Sequence, residues 1–278
     1  MRRVITRGIN YALRPFDLNL SRNHGPGPAP QDKRPGVVFM HIPKTGGSSL
    51  SKALHSQFPD STFRLFGDSA ASAAEALYGI KRADVGASQH IQALNLAVVS
   101  YMGAQGVKAI HGHFWYGNGL VALKEQGYLL ATLFRNPVDR WFSQFFYNFY
   151  QGNKLTQPID AEFERYIGSW QAQFLGRTYT QLLCGHYLDG GIDAAVIEAK
   201  GNLEKFDIVG IMEDFNRVAV DLAKHGLSLK IPHENKGRTP SKVVARFKES
   251  LEVRSQVEAI CAPDIDIYES ARAMQSGN

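Results

Sequence analysis

The chain has 278 residues, 44% of them hydrophobic, enough to bury one large core or two small ones, and one is expected. Its two cysteines, Cys184 and Cys261, are too far apart for a disulfide scaffold and lack C-x-x-C partners, which sets aside zinc-ribbon and dithiol proteins and fits a reducing, cytoplasmic compartment. The net charge of +5 is confined to residues 1 to 35, where seven Lys/Arg face two Asp; the rest is neutral, and no nucleic-acid partner is expected.

In chain order, residues 1 to 35 read as a basic flexible arm ending in the linker "NHGPGPAP" (Asn23 to Pro30), without the long apolar stretch of a secretory signal. The arm is first a solvated tail and second a peripheral contact with an anionic membrane or a partner. Residues 36 to 278 form one domain. "GVVFMH" (Gly36 to His41) reads as a buried strand and Ser48 to Phe58 as the helix after it. Residues 67 to 105 suggest one or two helices. Their longest mostly apolar window, Ile91 to Ala104, is interrupted by Asn95 and Ser100 and falls short of the roughly 20 residues that span a bilayer. Further strands are expected over Val107 to Phe114, Tyr128 to Arg135 and Phe206 to Met212, with helices from about Val138 to Tyr150 and after Glu213-Asp214, whose default role is capping. Strands alternating with helices predict an α/β fold, a parallel sheet flanked by helices with ligands at the carboxyl ends of its strands.

The turn in "HIPKTGGSSL" (His41 to Leu50) offers glycines and a helix N-terminus, which suits a phosphate or sulfate. It is not a Walker A loop, because Lys44 precedes Gly46-Gly47 instead of following the glycines, and taken alone the turn reads equally as tight strand-to-helix packing. The full string resembles the 5′-phosphosulfate loop of sulfotransferases that use 3′-phosphoadenosine 5′-phosphosulfate (PAPS). It is most similar to the branch containing heparan sulfate 2-O-sulfotransferase and its bacterial relatives, with Ser48 at a position usually Thr. The resemblance implies a P-loop-kinase-like sulfotransferase fold in which Lys44, Thr45, Gly46, Gly47, Ser48 and Ser49 wrap the 5′-phosphosulfate. "RNPVDRWFS" resembles the family's 3′-phosphate site, which implies that Arg135 and Ser143 hold that group. Arg140 in the same string is read equally as a solvated helix charge.

"AIHGHFWYG" (Ala109 to Gly117) places His111 and His113 on one side of a strand end if extended geometry persists. Sulfuryl transfer needs a base for the acceptor hydroxyl, and the resemblance implies that His113 is that base, with His111 as helper. Lys44 would stabilise charge on the departing phosphate, leaving 3′-phosphoadenosine 5′-phosphate (PAP); no metal is required. His41, Cys184 and His186 read as structural. Most aromatics of "WFSQFFYNFY" (Trp141 to Tyr150) read as core, although a sugar could stack on one. "PHENKGRTP" (Pro232 to Pro240) loosely resembles a segment that closes over PAPS, which makes Asn235, Lys236 and Arg238 candidates. "DIDIYESA" (Asp264 to Ala271) resembles the family's final helix.

The sequence is thus read as a PAPS-dependent O-sulfotransferase with a carbohydrate acceptor. A P-loop NTP-dependent kinase and a non-catalytic PAP-binding module are the rivals.

Overall fold

The computed structural model describes residues 32–81, 87–151, 156–186, 191–230 and 241–276. Strands β1 (Val37–Met40), β2 (Thr62–Leu65), β3 (Ala109–Gly112), β4 (Leu129–Phe134) and β5 (Ile208–Ile211) form one parallel sheet in the order β2-β3-β1-β4-β5. Both faces of β1 and β4 are covered, which is why their sequences are apolar on both faces, apart from Thr132, instead of alternating.

From β1 the chain steps outward to β2, returns to β3 and then crosses to β4 and β5. Right-handed crossovers require helices on opposite faces for opposite steps. Accordingly Val37, Phe39, Ala131 and Leu133 pack against Leu50 and Leu54 of α1 (Gly47–Gln57) and Val218 and Leu222 of α10 (Phe215–Lys224). Val38, Met40, Ile110 and Leu130 face the other way. They share a core with Val99 of α3 (Ala87–Ala104), Leu120 of α4 (Asn118–Glu125), Tyr179 of α8 (Thr178–Cys184), Leu203 of α9 (Ile192–Leu203) and Ile267 of α12 (Leu251–Ser276). Helix α2 (Gly67–Tyr78) precedes α3. The expected aromatic core is present. Trp141, Phe142, Phe145 and Phe146 of α5 (Pro137–Phe146) pack with Phe163 of α6 (Ile159–Ile167), Leu175 of α7 (Trp170–Gly176), Phe247 of α11 (Ser241–Glu249) and Val257 of α12.

Four expected strands are present, each shorter than its sequence limits. β2 was missed because "TFRL" is a half-exposed edge strand bonded only to β3. Two further readings are corrected. Arg140 is not a solvated charge: it is 1% exposed, its Nη2 donates to the Leu175 carbonyl, and its guanidinium lies 5.4 Å from the Tyr179 ring. Glu213 and Asp214 do not cap α10 with their side chains. Glu213 instead accepts the Asn136 N–H (2.9 Å) and the Tyr268 hydroxyl (3.2 Å), tying the ends of β4, β5 and α12 together. Residues 1–31 of the arm and the candidates Asn235, Lys236 and Arg238 lie outside the described residues. Among the described residues no helix is long and apolar enough to cross a membrane.

Asp264, 0% exposed, accepts from Tyr179 N–H (2.9 Å), Thr180 N–H (3.0 Å) and the Thr180 hydroxyl (3.0 Å) and so holds the start of α8. Burial pushes its carboxyl up to about 6, against the pull of Arg140 and these three bonds. Asp264→Ala strands these donors and is expected to lower the unfolding free energy by about 3 kcal/mol in urea titrations. A loss below about 1 kcal/mol would show that α8 does not depend on this carboxylate.

Candidate functional site

The loop after β1 turns sharply into α1. Gly46 sits in the left-handed region (φ 84°), and so does Lys44 (φ 68°), an uncommon conformation for a residue with a side chain. A Cβ on Gly47 would lie 2.2 Å from the His41 ring, so only glycine lets that imidazole rest against the helix start. The Thr45 hydroxyl donates to the Ile42 carbonyl (2.9 Å) and is fully buried, so Thr45 is turned inward and braces the loop. Ser49 is also buried; Ser48 is exposed. No side chain caps α1 and no acidic residue lies in its first turn, which leaves the positive end of its dipole bare.

Two cations converge on this end. Arg135, at the close of β4, donates from Nη1 to the Lys44 carbonyl (3.4 Å). Its own peptide is gripped by Tyr179, whose hydroxyl accepts from Arg135 N–H (3.1 Å) and donates to Arg135 C=O (2.6 Å). Lys44 Nζ lies 4.0 Å from the centroid of the Tyr147 ring; burial first, and the Arg135 charge second, lower its pKa. Tyr147 opens a π-helical turn, Tyr147–Gln151, that continues α5. Neither cation has an ion-pair partner among the described residues. The start of α5 is different: Asn136 caps Val138 and Asp139 N–H, and Asp139 lies in its first turn. Ser143 is half-buried in the second turn of α5 and has no tie to Arg135 among the described residues.

The two candidate histidines part company, against the expectation that they share a side. β3 ends at Gly112, so its alternation stops before His113. His111 is 4% exposed, packs edge-on to His55 of α1 and leaves Nε2 without a partner; burial, then Arg64, His55 and His113, lower its pKa to about 4. His113 instead places Nδ1 2.5 Å from the His41 carbonyl. A carbonyl only accepts, so Nδ1 carries the proton and Nε2 of the neutral ring holds a free lone pair. Burial lowers the His113 pKa, the His41 hydrogen bond raises it and Arg64 lowers it further. Its ring is 4.6 Å from that of His41, which burial keeps neutral.

His113 lines a cleft of about 1170 Å³ that starts at Pro43, beside Lys44. One wall is α3, with Gln92 and Asn95; the other carries Gln144, Asn148, Tyr166, Trp170 and Gln181 from α5 to α8. Trp170 is 71% exposed there. Sequence reasoning missed Tyr179 and the α3 wall as site elements; Tyr147 was visible only as a member of the aromatic run Trp141 to Tyr150, and Asn95 only as one of the breaks in an apolar window. Compared with known families and curated proteins, the chain matches no family model and no curated sequence.

His111 gives a pH signature. At about 4 folded and near 6.5 unfolded, it binds fewer protons in the folded chain between those values. Its contribution is therefore full above pH 6.5 and is lost as pH falls toward 4, by roughly 3 kcal/mol. In urea titrations across this window His111→Gln is expected to flatten the fall in stability by about that amount, leaving the share of His41 and His113. A slope equal to wild type would mean that His111 titrates normally.

Proposed function

We propose that this protein is an O-sulfotransferase that transfers the sulfuryl group of PAPS to a hydroxyl of a carbohydrate acceptor and releases PAP, on a P-loop-kinase-like sulfotransferase fold. The observation that carries this reading is the meeting of Lys44 and Arg135 at the uncapped start of α1, next to a cleft into which a neutral histidine brings a free lone pair. Two unpaired cations and bare helix N–H groups suit a ligand with two separate anionic groups, as the 5′-phosphosulfate and 3′-phosphate are.

In this reaction the bond from sulfur to the bridging phosphate oxygen breaks as the bond from sulfur to the acceptor oxygen forms. His113 Nε2 takes the acceptor proton. Lys44 offsets the charge left on the phosphate, and its partial desolvation strengthens that interaction. Arg135, held at its peptide by Tyr179, and Ser143 take the 3′-phosphate. Thr45 contributes its backbone only, since its hydroxyl is used within the loop. Asn235, Lys236 and Arg238 are candidates for nucleotide binding by resemblance alone.

Calorimetry in EDTA is expected to show tight binding of PAP and weak binding of ATP and adenosine 5′-phosphosulfate; preference for ATP, or no PAP binding, would overturn the proposal. Arg135→Ala should weaken PAP far more than adenosine 5′-phosphosulfate, and equal losses for both would place the 3′-phosphate elsewhere. With labelled PAPS, His113→Ala should lower the transfer rate by roughly 10²-fold or more at nearly unchanged PAP affinity. Near-wild-type turnover of this variant would assign the base to another residue.

A further inference from the structure

We infer that Asn95 is a positioning residue for His113: its side-chain amide, presented by α3, fixes the backbone at His113 and thereby where Nε2 of the imidazole points in the cleft. His113 is the first residue beyond β3 and has left the sheet ladder, so something other than strand pairing must place it. Three groups do so along the next four residues. Asn95 Nδ2 donates to the His113 carbonyl (3.1 Å), Gln92 Oε1 accepts the Trp115 N–H (3.1 Å), and the Leu182 carbonyl accepts the Tyr116 N–H (2.7 Å). Gln92 and Asn95 are three apart on one face of α3 and are joined to each other, Asn95 Nδ2 to Gln92 Oε1, at 3.3 Å. With Nδ1 of the ring held by the His41 carbonyl, the residue is fixed by its backbone and its side chain at once.

The manner in which Asn95 is kept supports the assignment. It is 1% exposed in a mostly apolar window, and its Oδ1 is buried without a partner among the described residues. A leucine of similar size would suit that burial better, because an unsatisfied amide oxygen in a core opposes folding. A residue unfavourable for stability at a cleft wall is best explained by what its other half holds. Gln92 and Asn95 line the same cleft as His113. The groups that act on the imidazole are His41 from the β1 end, Arg64 from β2 and His111 from β3. That the positioned ring is a base rests on the proposed transfer reaction; that Asn95 positions it does not.

Histidine side-chain NMR of the labelled full-length protein tests this, with the His113 signals identified by their loss in His113→Gln. In the wild type the Nδ1–H tautomer is expected, titrating below the usual histidine range. In Asn95→Leu, thermal stability is expected to be equal or higher while His113 populates both tautomers and titrates closer to its ordinary value. A spectrum and titration unchanged from wild type would overturn the inference, as would a large loss of stability with the tautomer intact. Should Asn95→Leu fail to fold, Gln92→Leu, which frees the Trp115 N–H and one partner of Asn95, is expected to show the same tautomer mixing, and its absence there would equally sink the idea. PAP titration of wild type and variant runs beside it: no binding to either removes the sulfotransferase reading, and the tautomer result still decides the role of Asn95.

Discussion

The chemistry of this chain depends on β1 lying between β3 and β4. In that register Met40 stands opposite Gly112 on one side and Thr132 on the other, and the Thr132 hydroxyl bonds the Met40 carbonyl (3.1 Å). All three strands run the same way, so the loops carrying Lys44, His113 and Arg135 leave the sheet on one edge within a few residues of each other. The register is not free to slip, because both faces of β1 are buried and a shift by one residue would exchange its two sets of side chains. Distant parts of the chain therefore meet as a consequence of core packing. Long-range bonds such as those of Arg135 to Lys44 and of His113 to His41 then fix the details within that frame.

That edge is electrostatically lopsided. Lys44 and Arg135 repel each other, yet each is partly desolvated and neither finds a carboxylate among the described residues. The Tyr147 ring face gives the Lys44 ammonium a weak substitute, a quadrupole in place of a charge. The bare start of α1 adds to the positive potential, while Asn136 and Asp139 satisfy the start of α5 a few residues away. In a low-dielectric setting an arriving anion would relieve the repulsion and gain more than it would in water. The histidines around this point are held neutral by burial, so they do not add to the positive charge at ordinary pH.

What was legible in the sequence follows from locality. The β1 turn could be read because a strand, two glycines and a helix start occupy one short run, and the left-handed φ of Gly46 is the conformation such a glycine supplies. β1 and β4 could be read from runs that are apolar throughout or, in β4, broken only by Thr132. β2 could not, since an edge strand of four half-exposed residues carries no such pattern. The His-x-His spacing placed both imidazoles on one side only by assuming a strand that continues, and β3 stops between them. The charge on Arg140 argued for solvent, but most of α5 is buried on more than one side, and a helix packed that way must bury whatever lies between its aromatics. Tyr179 left no sequence signal, because its bonds to Arg135 span 44 residues and depend on how α8 packs.

Among the polar groups that the fold leaves unsatisfied, some lie at or near this cleft. Asn95 Oδ1, His111 Nε2 and two nitrogens of Arg140 have no partner among the described residues, and two of these three residues line the cleft. Each opposes folding, so the surrounding structure has to hold them by packing. On the α5 side the means is visible. Phe149, Tyr166 and Leu175 face the cleft with one surface and join the aromatic cluster around Trp141 and Phe145 with the other. The wall of the cleft is thus the outside of a core, rigid enough to keep a buried guanidinium and a half-satisfied amide in place. A looser wall would let those groups turn to water, and the lone pair of His113 would lose its fixed direction with them.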